Sequence, residues 1–470
     1  MANSRKSRNP SKNGPGGLQA AFERALAEIA ARVAISGVDA HLGIAFSGGL
    51  DSSVLLHLAS RHAQAHHIAL TAFHVHHGLS PNADAWLAHC EREVAACGVR
   101  LVSTMVDLAD LNGRGVEDAA RIARYQALGR MCRDHGCQLL LTAHHQDDQA
   151  ETVLLQLMRG AGLPGLSGMP VFQARHELTG DGVSLGRPLL DVSRATLEVA
   201  RESFDLPHIT DESNDDLRYR RNALRNTVTP VLEQHFPGFQ ALVARSAGHV
   251  QTAQSLLQEL AEMDLASCRA GDWSAPLYVP ALQALSAQRA DNLLRHWLYH
   301  NRVQLPSTSR LAEIRSQMLQ AAVDMHPFFD FGPVVLRRIG LSLELHPRLG
   351  TPPEAPVEVQ WQGESELAVP AWRGKLTFEP TGGLGLPAEA LSRHALMLHP
   401  RAGQERLKRA ANRPSRSLKA LYQEAQIAPW RRLWSPLLYL NGELVFVAGL
   451  GMDVRHMAMG NGVVVGWVPD

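Results

Sequence analysis

The sequence predicts an α/β protein: a parallel sheet with helices on both faces, then a helical middle domain and a small α+β C-terminal domain. Three observations predict this. Short apolar segments alternate with amphipathic helical segments through the first 160 or so residues. The polar clusters follow the apolar segments, which is where a parallel sheet gathers its ligands. Composition then shifts twice, to an Ala/Gln/Leu-rich helical pattern after Pro237 and to short strands around turns beyond residue 356.

A chain of 470 residues has room for two or three domains with sizeable cores. It is 45% hydrophobic and 20% charged, the balance of a soluble globular protein. Lys+Arg and Asp+Glu are 46 each, so a nucleic-acid site must be a local basic patch. Cys90, Cys97, Cys132, Cys137 and Cys268 form no C-x-x-C pair, and no signal peptide is read, which places the chain in a reducing cytoplasm. No run of eighteen apolar residues occurs, so no membrane span is expected.

Residues 1–17 read as a disordered basic tail. A domain over 18–237 opens with a helix at Leu18–Val33 and a strand at Leu42–Phe46. Ser47-Gly48-Gly49-Leu50-Asp51-Ser52 is a turn into a helix from about Ser53. Two glycines let backbone N–H groups approach an anion, and the helix directs its positive end there. Ser47, Ser52 and Ser53 add hydroxyls. The parts are those of a phosphate cradle, without the spacing of a Walker loop or a dinucleotide fingerprint.

Next come a strand at Ile68–Val75, a helix at Asn82–Ala96, a strand at Val99–Val106 and a helix at Val116–Asp134. His74 and His76 alternate onto one side, with His77 away from it. No zinc-spaced ligand set accompanies them, so a nucleotide-lining role suits this strand end better. Arg121 and Arg124 share helical spacing with Glu117 and Asp118. A strand at Gln138–Thr142 then meets a helix at Asp147–Met158. Asp148 and Glu151 lie three apart on one face, where two carboxylates suit Mg²⁺ or a substrate ammonium.

Met158–Met169 reads as a glycine-rich loop over the site. Arg218 to Arg225 holds four arginines and no acid, a pattern suited to phosphate oxygens. Residues 238–349 read as mostly helical and 350–356 as a linker. In 357–470 the basic run Arg401–Lys419 faces one acid, Glu405, and is a candidate footprint for RNA phosphates. Tyr422, Trp430 and Trp434 follow it.

Ser47–Ser52 resembles the SGGxDS loop of the N-type ATP pyrophosphatases, the PP-loop family with an adenine nucleotide alpha hydrolase-like fold. E-x-A-A-R-x-x-R-Y from Glu117 resembles a recurrent segment of the same family. Two further segments, H-V-H-H-G-L-S-P-N-A-D-A-W from His74 and H-H-x-D-D-Q-A-E-T from His144, look like the members that modify an isoleucine tRNA. The resemblance implies ATP and Mg²⁺ as cofactors. It implies adenylation of the carbon-2 carbonyl of the wobble cytidine in a CAU anticodon, then attack by the ε-amine of L-lysine, a ligation forming a C–N bond.

It assigns ATP to Ser47, Gly48, Gly49, Leu50, Asp51, Ser52 and His74, with Asp51 also catalytic and the Mg²⁺ ligand. Asp148 and Glu151 become the catalytic, lysine-binding pair. Arg121, Arg124, Arg220, Arg221, Arg225, Arg409, Arg413, Arg416 and Lys419 are the expected tRNA contacts, and His144 or His145 the lining of the cytosine pocket. A tRNA thiolase is the nearest rival, disfavoured because no cysteine follows the strand-end motifs. A non-catalytic nucleotide-binding protein and an amide-forming ligase are the others. The oligomeric state, a homodimer included, is left open.

Overall fold

The computed structural model describes residues 15–33, 41–76, 82–106, 116–174, 179–210, 212–268, 271–322 and 325–470. The basic tail up to residue 14 and His77 lie outside them. The chain divides into two compact units, Met1–Glu259 and Leu260–Asp470.

In the first unit the elements are α1 (Pro15–Val33), β1 (His41–Ala45), α2 (Leu50–His66), β2 (Ala69–His76), α3 (Ala83–Ala96), β3 (Arg100–Met105), α4 (Val116–Asp134), β4 (Leu139–Leu141) and α5 (Gln146–Met158). After them come α6 (Leu163–Leu166), β5 (Phe172–Gln173), β6 (Ser184–Gly186), α7 (Arg194–Ser203), α8 (Arg220–Ala223), α9 (Thr229–His235) and α10 (Phe239–Ser267), whose last turns enter the second unit. The sheet order is β3-β2-β1-β4-β6-β5. Every pairing is parallel except that of the edge strand β5.

Both faces of the central strands are covered, which is why β1 and β4 are buried at successive positions rather than at alternate ones. Leu42, Ile44, Leu139 and Leu141 pack with Phe22 and Ile29 of α1, Leu55 and Leu58 of α2, and Leu197 of α7. Phe73 and Leu140 pack with Tyr125, Leu128 and Met131 of α4 on the other side. Gly43 is a glycine because Phe73 crosses it: a Cβ there would lie 2.8 Å from the ring.

In the second unit, α11 (Val279–Ala284), α12 (Ala287–His300) and α13 (Thr308–Gln320) pack on a four-stranded sheet. Its strands are β7 (Leu277–Tyr278), β8 (Phe328–Asp330), β9 (Val334–Ile339) and β10 (Ser342–Pro347), in the order β7-β10-β9-β8. The chain breaks between α11 and α12 at Leu285, because the Ser286 hydroxyl accepts from the Arg289 N–H and starts a new helix.

Beyond the linker are two five-stranded sheets. One holds β11 (Val357–Val359), β15 (Leu396–His399), β18 (Leu437–Leu440), β19 (Glu443–Val447) and β20 (Gly451–Met452). The other holds β12 (Glu366–Val369), β13 (Gly374–Thr381), β14 (Leu384–Pro387), β21 (Ala458–Met459) and β22 (Gly462–Pro469). They share a core of Trp372, Phe378, Leu398, Leu438, Phe446 and Val465. A hairpin of β16 (Arg406–Leu407) and β17 (Arg416–Ser417), with α14 (Ala388–Arg393), α15 (Leu418–Glu424) and α16 (Pro429–Leu433), completes the unit. No helix among the described residues is long and apolar enough to cross a membrane.

Candidate active site at the ends of β1 and β4

The chain leaves β1 toward β2 and β3, then returns to lay β4 against the other side of β1. Neighbouring connections diverge at such a point and open a crevice beyond the strand carboxyl ends. The glycine turn follows β1 and the acidic helix start follows β4, so the topology alone brings the two motifs together.

The turn is held rigidly. Phe46 N–H extends the ladder to the Phe73 carbonyl at 2.9 Å. Gly48 takes a φ of +79°, and a Cβ there would sit 2.7 Å from Ile209 Cδ1 and 2.9 Å from Cys90 Sγ. Both the dihedral and the crowding require glycine. Ile209 N–H donates to the Gly48 carbonyl at 2.8 Å and clamps the turn from outside the motif. Gly49 starts α2 without a side-chain cap, leaving first-turn N–H groups for an anion. Ser52 Oγ donates to the Gly49 carbonyl at 2.9 Å and lies 3.2 Å from Ser47 Oγ.

His74, expected on the nucleotide, sits beneath this turn. It is buried, with Nδ1 3.0 Å from the Phe46 carbonyl. Burial lowers its pKa, so the ring is neutral and donates to that carbonyl. The nearby Cys90 thiol is pushed up to about 12 by burial, which leaves it protonated and a poor nucleophile for thiol transfer.

At the start of α5, Asp148 Oδ2 accepts the His145 N–H at 3.1 Å and Asp147 Oδ2 accepts the Arg194 N–H at 2.9 Å. The His145 ring joins the two motifs. Its Nε2 is 3.6 Å from Asp51 Oδ2 and 3.4 Å from Asp148 Oδ2, and its Nδ1 is 3.7 Å from Asp147 Oδ2. Burial would lower its pKa, but Asp147, Asp51 and Asp148 outweigh burial and raise it to about 10.

A pKa raised on folding contributes stability that is complete below the unfolded value, near 6.5, and is lost as pH climbs toward 10. The stability gap between the wild type and His145→Gln, measured by urea denaturation, should therefore be widest at pH 6 and narrow toward pH 10. A gap that widens with pH would contradict a charged imidazolium. His144 behaves oppositely. Its Nδ1 lies 2.8 Å from Thr142 Oγ1, and burial with the nearby Arg187, Arg221 and Arg124 lowers it to about 3 against the pull of Asp148.

The structure places two of the expected arginines beside the acidic pair. Arg221 and Arg225, expected on the RNA, are engaged by the acidic pair. Arg221 gives Nε to Glu151 at 2.8 Å and Nη2 to Asp148 at 2.9 Å. Arg225 gives Nε to Glu151 at 2.6 Å and Nη2 to Asp148 at 3.0 Å. Arg225 sits in a π turn, Leu224–Val228, between α8 and α9. Pro230 has no N–H to continue the α-helical ladder there, and such turns concentrate at functional sites. Burial opposes ionisation of Asp148, but His145, Arg221, His144 and Arg225 hold its carboxyl well below the usual range.

Of the remaining basic residues, Arg124 lies near His144 and Arg221. Arg121 and Arg124 each lie 5.7 Å from the Tyr125 ring centroid, and Arg220 is exposed. Arg409, Arg413, Arg416 and Lys419 are exposed on the β16–β17 hairpin and the start of α15 in the second unit, with Arg416 paired to Glu424.

A cavity of about 410 Å³ opens beside α5, within the roughly 300–1,000 Å³ of small-molecule sites. It is lined by Asp147, Glu151, Arg194, Thr210, Asp215 and Arg225 among others. Asp51 Oδ1 is buried with no hydrogen-bond partner, an orphan that a cation would satisfy. Among the described residues no group of three or more His, Cys, Asp or Glu could hold a metal ion by itself. The orphan Asp51 oxygen beside the phosphate cradle fits Mg²⁺, which binds through one or two carboxylates and substrate phosphates rather than a protein cage.

Fold and turn together define a PP-loop ATP-binding domain, and a family model described as the PP-loop domain matches residues 18–232. Models for the TilS substrate binding domain and the TilS substrate C-terminal domain match residues 277–339 and 396–467. The tRNA(Ile)-lysidine synthase of Ralstonia nicotianae is 42% identical over 93% of this chain and 94% of its own length. That of Burkholderia pseudomallei is 41% identical over 90% of this chain and 91% of its own. The chain belongs to the tRNA(Ile)-lysidine synthase family. Among solved structures, the U34-tRNA thiolase NcsA from Methanococcus maripaludis is similar, at 16% identity and a TM-score of 0.41, over 50% of this chain and 79% of that one.

Proposed function

We propose that this chain uses ATP to ligate L-lysine to the wobble cytidine of the CAU anticodon of an isoleucine tRNA, giving lysidine, AMP and pyrophosphate. One observation carries the reading: the phosphate-cradling turn and the acidic helix start meet through His145, 3.6 Å from Asp51 and 3.4 Å from Asp148.

The N–H groups of the turn and first turn of α2, with Ser47 and Ser52, hold the β and γ phosphates as they depart. Asp51, through its orphan oxygen, would hold the Mg²⁺ that accompanies them, and the ion would supply charge neutralisation on the leaving pyrophosphate. The cytosine enters as an unstacked loop base, with neutral His144 at the pocket wall. Asp148 and Glu151 offer their carboxylates to the ammonium of the incoming lysine, with Arg221 and Arg225 fixing both acids in place.

Asp148 is held so firmly ionised that it serves as an anchor and a poor proton acceptor. Glu151, on the cavity wall, is the group we assign to take the proton that frees the amine. Arg194 and Arg225, on the same wall, suit the lysine carboxylate.

The test is direct. Incubating the protein with ATP, Mg²⁺, labelled lysine and unmodified isoleucine tRNA should put label on the RNA, dependent on ATP and on the CAU anticodon. Label that does not depend on tRNA would indicate a small-molecule ligase instead.

A further inference from the structure

We propose that Arg337, whose guanidinium lies over the rings of Phe328 and Trp430 on the outer face of the β8–β9–β10 sheet, is a phosphate-binding fork for the RNA substrate. This rests on the reading that the substrate is a tRNA. Strand register places Phe328 opposite Arg337, and Arg337 opposite Glu344, so the three side chains share one face. Arg337 Cζ is 5.2 Å from the Phe328 ring centroid and 4.3 Å from that of Trp430. His326 and His346 meet the Trp430 ring at 5.8 and 6.2 Å between centroids.

The acids beside the arginine are engaged elsewhere. Glu344 accepts from His346 Nε2 at 3.0 Å, and Asp330 lies 3.4 Å from Arg348 Nη2. Among the described residues no carboxylate pairs with Arg337, and burial is the cause that lowers its pKa. A guanidinium thus lies over two aromatic rings, and among the described residues no acceptor takes its N–H edge. That edge matches two oxygens of a phosphodiester, and its weak hydration makes the exchange of water for phosphate easy.

RNA is the occupant the surroundings favour. Phe328 is 59% exposed, an aromatic face beside the fork on which an unstacked base or a sugar can lie. The matched substrate binding region, 277–339, contains both Phe328 and Arg337. An arginine serving only to fasten α16 to the sheet is the alternative, and the salt dependence of RNA binding separates the two.

Filter binding of unmodified isoleucine tRNA should be measured over a salt series for the wild type, Arg337→Gln, Arg337→Lys and Phe328→Leu. For Arg337→Gln the account expects roughly three- to tenfold weaker binding and a log K versus log [salt] slope shallower by about 0.7–0.9, one phosphate contact. Arg337→Lys should restore the slope without the full affinity. Phe328→Leu, an exposed position that leaves the core intact, should weaken binding at an unchanged slope. The KM values for ATP and lysine should stay at the wild-type level in all three. A wild-type slope in Arg337→Gln overturns the proposal, whether or not its melting temperature falls. A wild type that binds this tRNA but transfers no lysine to it would instead overturn the function on which the proposal rests.

Discussion

Asp51→Asn should slow pyrophosphate release by about 10²- to 10³-fold, the cost typical of removing one charge-stabilising group from a transition state. The substitution keeps the shape of the side chain but removes the charge on its orphan oxygen. It also removes one of three carboxylates around His145, so a modest loss of stability accompanies the kinetic defect. Because the acids assigned to the lysine ammonium, Asp148 and Glu151, lie on α5, lysine binding should change little. Stopped-flow detection of pyrophosphate with ATP and tRNA checks the first part, and a lysine titration the second. Pyrophosphate release within threefold of the wild type would remove Asp51 from adenylation.

Asp148→Asn should do the reverse. Pyrophosphate release should stay within about threefold of the wild type, while lysine transfer from the adenylated tRNA falls by about 10²-fold, the scale of a lost orienting contact. Asn is preferable to Ala here. Two guanidiniums meet this carboxylate, and stripping one partner from a buried ion cluster costs about 3–5 kcal/mol. An Ala variant could then lose activity through the fold alone. If Asp148→Asn stopped pyrophosphate release as fully as Asp51→Asn, its assignment to lysine would fail.

The first half of the site was legible because its signals are local. A short apolar strand, two glycines and a helix start are contiguous from Leu42 to Leu58, and the acidic pair is three residues apart in one helix. The strand–helix alternation also carried the parallel sheet, and the sheet order followed the rule that ligands collect where connections diverge. What stayed hidden was pairing at long range. Nothing around Arg221 or Arg225 says that its partner is Asp148 or Glu151, 70 to 77 positions earlier. A matching spacing was present: two arginines four apart and two acids three apart are each one helical turn, so one pair can meet the other.

Ile209, which clamps Gly48, carries no motif at all. The helix Arg194–Ser203 and the strand Ser184–Gly186 were missed for a different reason. The strand is three residues long, too short for a period; the helix does carry a signal, a Ser193 cap followed by Leu197 and Ala200 one turn apart, but it is short. The imidazolium of His145 was unreadable as well, since its charge comes from three carboxylates that only the fold assembles.

The central claim is that one pocket holds both half-reactions, with adenylation first and lysine second. The most direct measurement mixes enzyme, ATP, Mg²⁺ and isoleucine tRNA without lysine and follows pyrophosphate by rapid quench. The account predicts a burst stoichiometric with enzyme, and then conversion of the adenylated tRNA to lysidine-bearing tRNA when lysine and excess unlabelled ATP are added together. No pyrophosphate until lysine is present would contradict it.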